Sequence, residues 1–267
     1  MHVTETWRFL DTGAAAGPFN MAVDEGLAQV GADPILRVYR WQPFTISIGY
    51  HQDAEEIDSA KCRRDGVGLV RRPTGGRAIF HGHEATYSVI IPKGHPQFAK
   101  TSLDVYNEIS SAVVLGLQMA GLPVSLEKRA QPDAEFSSYQ RRFACFASSA
   151  RYEIQYHSRK LVGSAQRRFQ SALLQHGSIL IGQQHLKLME YFADQKNDSA
   201  RENLRRKTVC IEEILNRQVA YEEIAACMKA AFEKYFKITF EPAPLTNAEL
   251  DLINQLKAFY TDLRRRL

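Results

Sequence analysis

Two β-rich blocks with one amphipathic segment between them constrain the fold of this 267-residue chain more than any other feature. Short runs of β-branched and apolar residues fill residues 7–91, and a second series fills residues 152–181. The segment between them carries apolar residues three or four positions apart, at Leu103, Tyr106, Ile109, Val113 and Leu117. This spacing predicts a helix with one apolar stripe, which ends before Gly121 and covers the sheet. The expected fold class is therefore α+β (α/β), with mixed β-sheets flanked by helices.

Local signals divide the chain further. We expect strands over residues 7–10, 35–39, 45–48, 67–71, 78–81, 85–91, 152–155, 160–166, 173–181 and 237–240. Pro18 marks the first turn of a helix over residues 17–30, and a charged stretch predicts a surface helix over 53–65. Further helices are expected over 221–235 and from Asn247, where Thr246 and Glu249 have capping-box spacing. The charged stretch 197–207 indicates a boundary between a larger unit, residues 1–190, and a small C-terminal helical subdomain, residues 191–267.

The composition is that of a soluble globular protein, with 45% hydrophobic and 24% charged residues. A net charge of +4 is too small to indicate the concentrated basic surface of a nucleic-acid-binding protein. No run approaches the ~18 apolar residues of a membrane span and the first residues lack a basic and apolar leader, so we expect a cytoplasmic protein. Four cysteines, Cys62, Cys145, Cys210 and Cys227, lie far apart without a CxxC pair, which predicts free thiols.

A glycine loop lies between two predicted strands, in segment 71–81. The adjacent Gly75 and Gly76 expose backbone N–H groups and let a substrate approach closely, while Arg71, Arg72 and Arg77 supply charge for a phosphate or carboxylate. The alternative is a hairpin turn with solvated arginines, and the residues alone favour neither interpretation. The spacing matches neither the P-loop nor the dinucleotide-binding motif.

Two further residues are candidates for chemistry. Cys145 lies among small residues, and the adjacent Arg141 and Arg142 would favour a thiolate if they lie close in space. Lys160 stands next to apolar strand residues and near Gly163, where a lysine in a partly dry site could polarise a carbonyl or activate a thiol. The alternatives are an inert buried cysteine and an exposed charge at a strand end.

The histidines give a weaker signal. His81 and His83 would share one face of a strand, but no third ligand at suitable spacing accompanies them, so no metal site is expected. His176 either lines the same site as the glycine loop or satisfies a turn, and the local sequence does not decide between the two.

In this order and spacing, these segments resemble the biotin/lipoate protein ligase superfamily, and within it the LipM-type octanoyl-(acyl carrier protein):protein N-octanoyltransferases. The matching segments are residues 20–25, 71–81, 144–146 with 152–153, 160–166, 175–180, 211–215 and 245–249. The resemblance implies a lipoate/biotin protein ligase catalytic-domain fold over residues 1–190, followed by the small C-terminal helical region.

The resemblance also implies a reaction. An octanoyl group carried on acyl carrier protein would move to Cys145 and then to a lysine of a lipoyl domain or of the glycine cleavage H protein. Lys160 would hold the acyl carbonyl or stabilise its oxyanion. The implied substrate-binding residues are Arg71, Thr74, Gly75, Gly76, Arg77, Phe80, His81, Gly163, Ser164 and His176, with Phe80 lining the acyl slot. We expect a monomer without cofactor, metal, nucleic acid or membrane partner.

Alternative functions stay open on the sequence. An ATP-dependent lipoate-protein ligase acting through lipoyl-adenylate is disfavoured, because the ligase loop has a third glycine and an Asp where this chain has Arg77 and Gly82. An amidotransferase that moves octanoyl between lipoyl-bearing proteins would share the cysteine chemistry. A non-catalytic acyl-binding protein is the remaining class, and the presence of Cys145, Lys160 and the glycine loop counts against it.

Overall fold

The described part of the chain forms a large mixed sheet, a small sheet, and helices on both faces of the large one. The computed structural model describes residues 4–128, 152–193 and 198–263. Its strands are β1 Glu5–Ala15, β2 Ile35–Trp41, β3 Thr45–Ile48, β4 Gly68–Arg71, β5 Ile79–His81, β6 Glu84–Pro92, β7 Ser125–Lys128, β8 Tyr152–Tyr156, β9 Arg159–Arg168, β10 Ala172–Leu180 and β11 Ile238–Pro242. Its α-helices are α1 Gly17–Val30, α2 Ser59–Arg64, α3 Ser102–Met119, α4 Asp198–Lys207, α5 Ile211–Leu215, α6 Tyr221–Phe236 and α7 Asn247–Tyr260, and short 3-10 helices cover Ala54–Glu56, Pro96–Ala99 and Gln183–Tyr191.

The larger sheet has eight strands within the described residues, in the order β11-β1-β2-β6-β10-β9-β8-β7. Strand β1 pairs in parallel with β11 and β2, and the remaining neighbours are antiparallel. The smaller sheet has the order β4-β3-β5, in which β3 runs parallel to β4 and antiparallel to β5. The mixed sheets and flanking helices predicted from the sequence are confirmed.

The two faces of the large sheet differ in character because side chains alternate along each strand. On β6, Tyr87 and Val89 belong to the core formed with α3 and α6, as the sequence predicted for the covering helix. Ile90 belongs to a second core, formed with α1 and α7. The face of Ile90 also carries Glu84, Thr86 and Ser88, although all of β6 is buried. Buried polar groups require hydrogen-bond partners, so this alternation marks the part of the fold where a polar site lies.

The glycine loop is a connection across the small sheet and not a hairpin. Strands β4 and β5, which precede and follow the loop, both pair with β3 and not with each other. The hairpin interpretation is therefore wrong, because β3 lies between the two strands that a hairpin would join. Arg71 and Arg72 are 7% and 3% exposed, so they are not the solvated charges of that interpretation.

The C-terminal segment joins the large sheet. Strand β11 pairs with β1 at the sheet edge, α6 packs against α3, and α7 packs against α1. The boundary at 190/191 stays a prediction, and the segments on its two sides share a sheet and both helical layers.

Local sequence signals correctly predicted where two of the helices begin. The helix over 17–30 is confirmed as α1, and the capping box of Thr246 and Glu249 at the start of α7 is present. The single helix expected over 53–65 is wrong: Asp53 caps a 3-10 turn, and Asp58 then accepts a hydrogen bond from the Lys61 N–H and begins α2. In the described residues, no helix has the length and apolar character needed to cross a membrane.

Candidate active site

Two arginines of the glycine loop, Arg71 and Arg72, bind backbone carbonyl groups. The Arg71 guanidinium donates to the carbonyl oxygens of Gly49, Tyr50 and Gln52 at 2.6–3.0 Å. Arg72 donates to Ser47 through Nη1 and to the carbonyl oxygens of Gly75 and Arg77 through its other nitrogens. The arginines therefore fix the shape of the loop, because a guanidinium presents its donors in a rigid fork.

A cavity that is partly open to solvent lies beside this loop, between the small sheet and the polar face of the large one. Its lining residues come from α1, β2, β3, β5, β6, β9 and β10, together with Arg72: Met21, Tyr39, Trp41, Ser47, Arg72, Ile79, His81, Thr86, Gly163, Ser164, Ala165, His176, Gly177 and Ser178. The lining combines the apolar side chains of Met21, Trp41 and Ile79 with a few polar groups, which is the composition typical of small-ligand sites.

Asp24 of α1 organises one wall of the cavity. The carboxylate is fully buried and accepts four hydrogen bonds, from Arg37 at 2.6 Å, Ser88 at 2.8 Å, Tyr39 at 2.9 Å and His176 at 2.9 Å. Burial opposes ionisation of Asp24, but the Arg37 guanidinium and the bonds from His176 and Ser88 outweigh it and lower its pKa below the ordinary value. Asp24 is therefore a carboxylate, paired with a guanidinium that is buried as completely as itself.

This carboxylate sets the tautomer of His176. Burial lowers the pKa of His176, although the Asp24 carboxylate acts in the opposite direction, so the ring is neutral at pH 7. Nδ1 donates to Asp24, and Nε2 then accepts a hydrogen bond from the Thr74 hydroxyl at 2.7 Å. His176 thus connects α1 to the glycine loop and holds Thr74 in place.

A second carboxylate and histidine pair forms the opposite wall. Glu84 accepts from His81 Nδ1 at 2.8 Å, from Thr86 at 2.6 Å and from Ser178 at 2.7 Å. His81 Nε2 and the Ser47 hydroxyl are hydrogen-bonded at 2.8 Å. The Trp41 ring stacks on His81 with 4.0 Å between centroids. The two walls therefore share one pattern, in which a buried carboxylate orients a histidine and the histidine binds a hydroxyl.

Every polar side chain that lines the cavity is hydrogen-bonded within the protein. The Trp41 Nε1–H donates to Thr86 Oγ1 at 2.7 Å, and the Thr86 hydroxyl donates a hydrogen bond to Glu84. The Ser164 hydroxyl bonds Tyr87, which belongs to the core on the opposite face of the sheet. Because these polar side chains are already hydrogen-bonded within the protein, the cavity offers a ligand mainly apolar contact.

Lys160 is buried in an ion pair with Glu153, with Nζ and Oε1 3.0 Å apart and the side chains 6% and 5% exposed. The pairing of β8 with β9 shifts by one residue here, since Ile154 pairs with Val162 but Gln155 pairs with Lys160. Directly paired residues share a face. The shift therefore turns Lys160 to the face of Glu153, which is also the face of the cavity-lining Gly163.

Comparison with known proteins identifies the fold and the family. Residues 17–233 match the lipoyl protein ligase A/B catalytic domain. The octanoyltransferase LipM of Bacillus subtilis is 36% identical over 94% of both chains, and that of Staphylococcus aureus is 35% identical over 97% of both. The chain belongs to the octanoyltransferase LipM family.

Solved structures of lipoate-protein ligases share the fold of this LipM-family chain. A lipoate-protein ligase A bound with ATP superposes with a TM-score of 0.76 at 23% identity, covering 96% of each chain. A bipartite lipoate protein ligase from Thermoplasma acidophilum, reported with its E2 lipoyl domain, has a TM-score of 0.77 at 22% identity and covers 97% of this chain and 94% of its own. At these identities the likeness concerns the fold.

The structure brings together five of the residues predicted for the site. His81, Gly163, Ser164 and His176 line the cavity, and Thr74 bonds to His176.

Five other predicted residues do not line the cavity. Arg71 binds carbonyl groups of the loop at 49–52, and Phe80 packs in the core, stacked on Tyr191. Gly75, Gly76 and Arg77 lie in the loop, where Gly76 has a positive φ of 98° and fits against Gly49.

The two predicted catalytic residues stand apart from these. Lys160 is on the cavity's face of the sheet but is not a lining residue. Cys145 lies outside the described residues. Among the described residues, no group of three or more His, Cys, Asp or Glu side chains is arranged to hold a metal ion.

Several residues that build the site were not predicted from the sequence. Asp24 and Glu84 are buried charges, and Thr86 and Ser178 are buried hydroxyls. Two signals could have found them. Asp24 and Glu25 are acids inside the otherwise apolar helical stretch 21–28, and residues 84–89 alternate polar with apolar side chains. Fully buried acids are rare unless paired, so both patterns predict partners in the fold.

Proposed function

We propose that this protein moves an octanoyl group from octanoyl-acyl carrier protein, through a thioester on Cys145, to a lysine of a lipoyl domain or of the glycine cleavage H protein. Membership of the LipM family makes the chain an octanoyltransferase of protein lipoylation. The donor, the acceptor and the role of each residue belong to the proposal, as do a monomeric state and action in the cytoplasm.

The hydrogen bonding of the side chains that line the cavity is the observation that carries the proposal. An octanoyl tail has no hydrogen-bonding group, and the cavity's polar side chains have their partners within the protein. A ligand that needed hydrogen bonds from these walls would have to break existing ones, whereas an alkyl chain gains contact with Met21, Trp41 and Ile79 at no such cost. Thr74, His81, Gly163, Ser164 and His176 are the predicted residues that would shape this acyl slot.

The chemistry needs a nucleophile and a positive charge and no nucleotide. Exchange of an acyl group between two thiols is nearly isoenergetic, and formation of an amide makes the second transfer downhill. Lys160, held by Glu153, would place its ammonium group where negative charge develops on the acyl oxygen. The buried pair keeps this charge in one position, and a fixed charge in a dry site stabilises a transition state without reorganisation.

The packing around Gly82 supports transfer over ATP-dependent ligation. The ligase loop has an Asp where this chain has Gly82. A Cβ at Gly82 would lie 2.5 Å from the Gln184 Cβ, so the chain has no room for an aspartate there without movement of the 3-10 helix Gln183–Tyr191. The carboxylate that the ligase pattern supplies is thus sterically disfavoured by the packing of Gln184 in this chain.

The proposal is tested by intact-mass spectrometry after incubation with octanoyl-acyl carrier protein. We expect the wild-type protein to gain one octanoyl mass that hydroxylamine removes, and Cys145→Ala to gain none. Cys227→Ala is the matched control, because Cys227 is half-buried and burial raises the pKa of its thiol, so it should load like the wild type. Loading that persists in Cys145→Ala would overturn the thioester route, and lipoate attachment that depends on ATP would favour the ligase.

A further inference from the structure

The hydrogen bonds around the cavity specify which acyl tails it admits, an inference that rests on the proposed acyl transfer. Each N–H donor on its lining side chains has an acceptor. Arg72 uses its Nε, Nη1 and Nη2 donors on Ser47, Gly75 and Arg77, and both histidines donate from Nδ1 to a carboxylate. The hydroxyl protons of Tyr39, Thr86 and Ser178 also go to carboxylates.

Part of the backbone along the cavity is hydrogen-bonded as well. Gly163, Ser164 and Ala165 lie on β9 opposite Ser178, Gly177 and His176 of β10, inside the antiparallel ladder. The Arg72 N–H donates to the Ile48 carbonyl. Among the described residues, an acceptor on a ligand would therefore meet lining side-chain N–H groups that already have acceptors.

We propose that the cavity selects acyl chains whose tail lacks a hydrogen-bond acceptor. Thr86 is then a specificity-determining residue, because its hydroxyl oxygen accepts the hydrogen bond that the Trp41 N–H would otherwise donate to a ligand. Thr86 and Trp41 both line the cavity, and their bond is 2.7 Å long. The Trp side chain has one hydrogen-bond donor and no acceptor, so the bond to Thr86 decides whether the Trp41 N–H can bind a ligand. Without the Thr86 oxygen, the indole N–H would be left for a carbonyl group on the acyl tail.

The test compares two ligands of equal size by calorimetric binding to the wild-type protein. The ligands are 7-oxooctanoate, which carries a ketone acceptor, and 7-methyloctanoate, which does not. Burying the ketone without a donor should weaken its binding about 5- to 150-fold relative to the methyl analogue, the range that corresponds to about 1–3 kcal/mol for an unmade hydrogen bond. Equal affinities would overturn the proposal. Binding of neither ligand would also overturn it, because the cavity would then not hold acyl chains.

Isosteric variants then assign the selection to Thr86. Thr86→Val keeps the shape and removes the acceptor of the Trp41 N–H, so the preference for the methyl analogue should fall at least about fivefold. Thr12→Val is the matched control, because Thr12 Oγ1 accepts from Arg37 Nε at 2.9 Å and neither residue lines the cavity. The control should keep the wild-type preference.

Two further outcomes separate this inference from its alternatives. Thr86→Ser retains the hydroxyl and should retain the preference, and an unchanged preference in a folded Thr86→Val would show that Thr86 does not enforce the selection. The wild-type comparison tests the selection even if Thr86→Val does not fold. Because binding of free acids needs no thioester, loss of Cys145 loading would count against the proposed function alone.

Discussion

The buried pair of Asp24 and Arg37 gives the sharpest stability prediction. The change is Asp24→Asn, which keeps the shape of the side chain and removes its charge. The wild-type carboxylate accepts bonds from Arg37 and Ser88 on one oxygen and from Tyr39 and His176 on the other. An amide replaces one of these oxygens with an NH₂ group, so two of the four donors lose their acceptor whichever way the amide turns.

The magnitude follows from the burial of both partners, whose side chains are 0% exposed. Removing one member of a buried ion pair leaves the other charge without compensation and costs about 3–5 kcal/mol. A domain has about 5–15 kcal/mol of unfolding free energy, so this loss is a large part of the total. Glu222→Gln is the control, because the Arg40–Glu222 pair is 3.4 Å long with side chains 42% and 67% exposed, and such pairs contribute about 0–1 kcal/mol.

The measurement is equilibrium unfolding in urea at pH 7, followed by circular dichroism and by tryptophan fluorescence, with the slope checked for a change in the unfolded state. The pH dependence provides a second test. Since the pKa of Asp24 is lowered from 3.8, its stabilisation is present above pH 3.8 and is lost as the pH falls through its lower value in the folded protein. The difference between wild type and Asp24→Asn should therefore shrink in acid. A loss at pH 7 no larger than that of Glu222→Gln would refute the reasoning.

Two other predictions concern the 3-10 helix Gln183–Tyr191 and its neighbours. Burial lowers the pKa of His185 from 6.5 to about 4, so its contribution to stability is present above pH 6.5 and falls by about 3 kcal/mol as the pH drops to 4. In His185→Gln, the free energy of unfolding should therefore fall by about 3 kcal/mol less between pH 6.5 and pH 4 than in the wild type. Parallel curves of unfolding free energy against pH would contradict this prediction. Gly82→Asp should lower the free energy of unfolding by about 1–3 kcal/mol, because its side chain would overlap Gln184. Adding Gln184→Gly to Gly82→Asp should restore most of this loss. Strictly additive effects of the two substitutions in the double variant would exclude the overlap.

Elements governed by neighbours in the sequence were predictable. Pro18 at the start of α1 and the reciprocal bonds of Thr246 and Glu249 at the start of α7 act within one helical turn, so the sequence contains everything that determines them. The helix α3 followed from its apolar period because one stripe must be buried against the sheet. These signals fix where helices begin and which face they bury, and they give no information about which strands are neighbours.

The arginines of the glycine loop show why the site was harder to predict. Arg71 and Arg72 were expected to supply charge to a ligand, since adjacent glycines and arginines often bind anions. In the fold they bind carbonyl groups, Arg71 those at 49–52 and Arg72 those of Ser47, Gly75 and Arg77. The partners at 47–52 come close only because β3 lies between β4 and β5, an order that local patterns do not encode.

The face of Lys160 depends on a similar non-local fact. Strict alternation along β9 would put Lys160 on the face of Val162, which packs into the core. The register shift against β8 reverses this and gives the ammonium group a buried partner in Glu153 on the cavity's face. A charge on the face of Val162 would lie among the apolar side chains of that core, and an unpaired buried ammonium is costly. The irregularity thus allows Lys160 to pair with Glu153 and places the ammonium on the face where the proposed acyl transfer requires a positive charge.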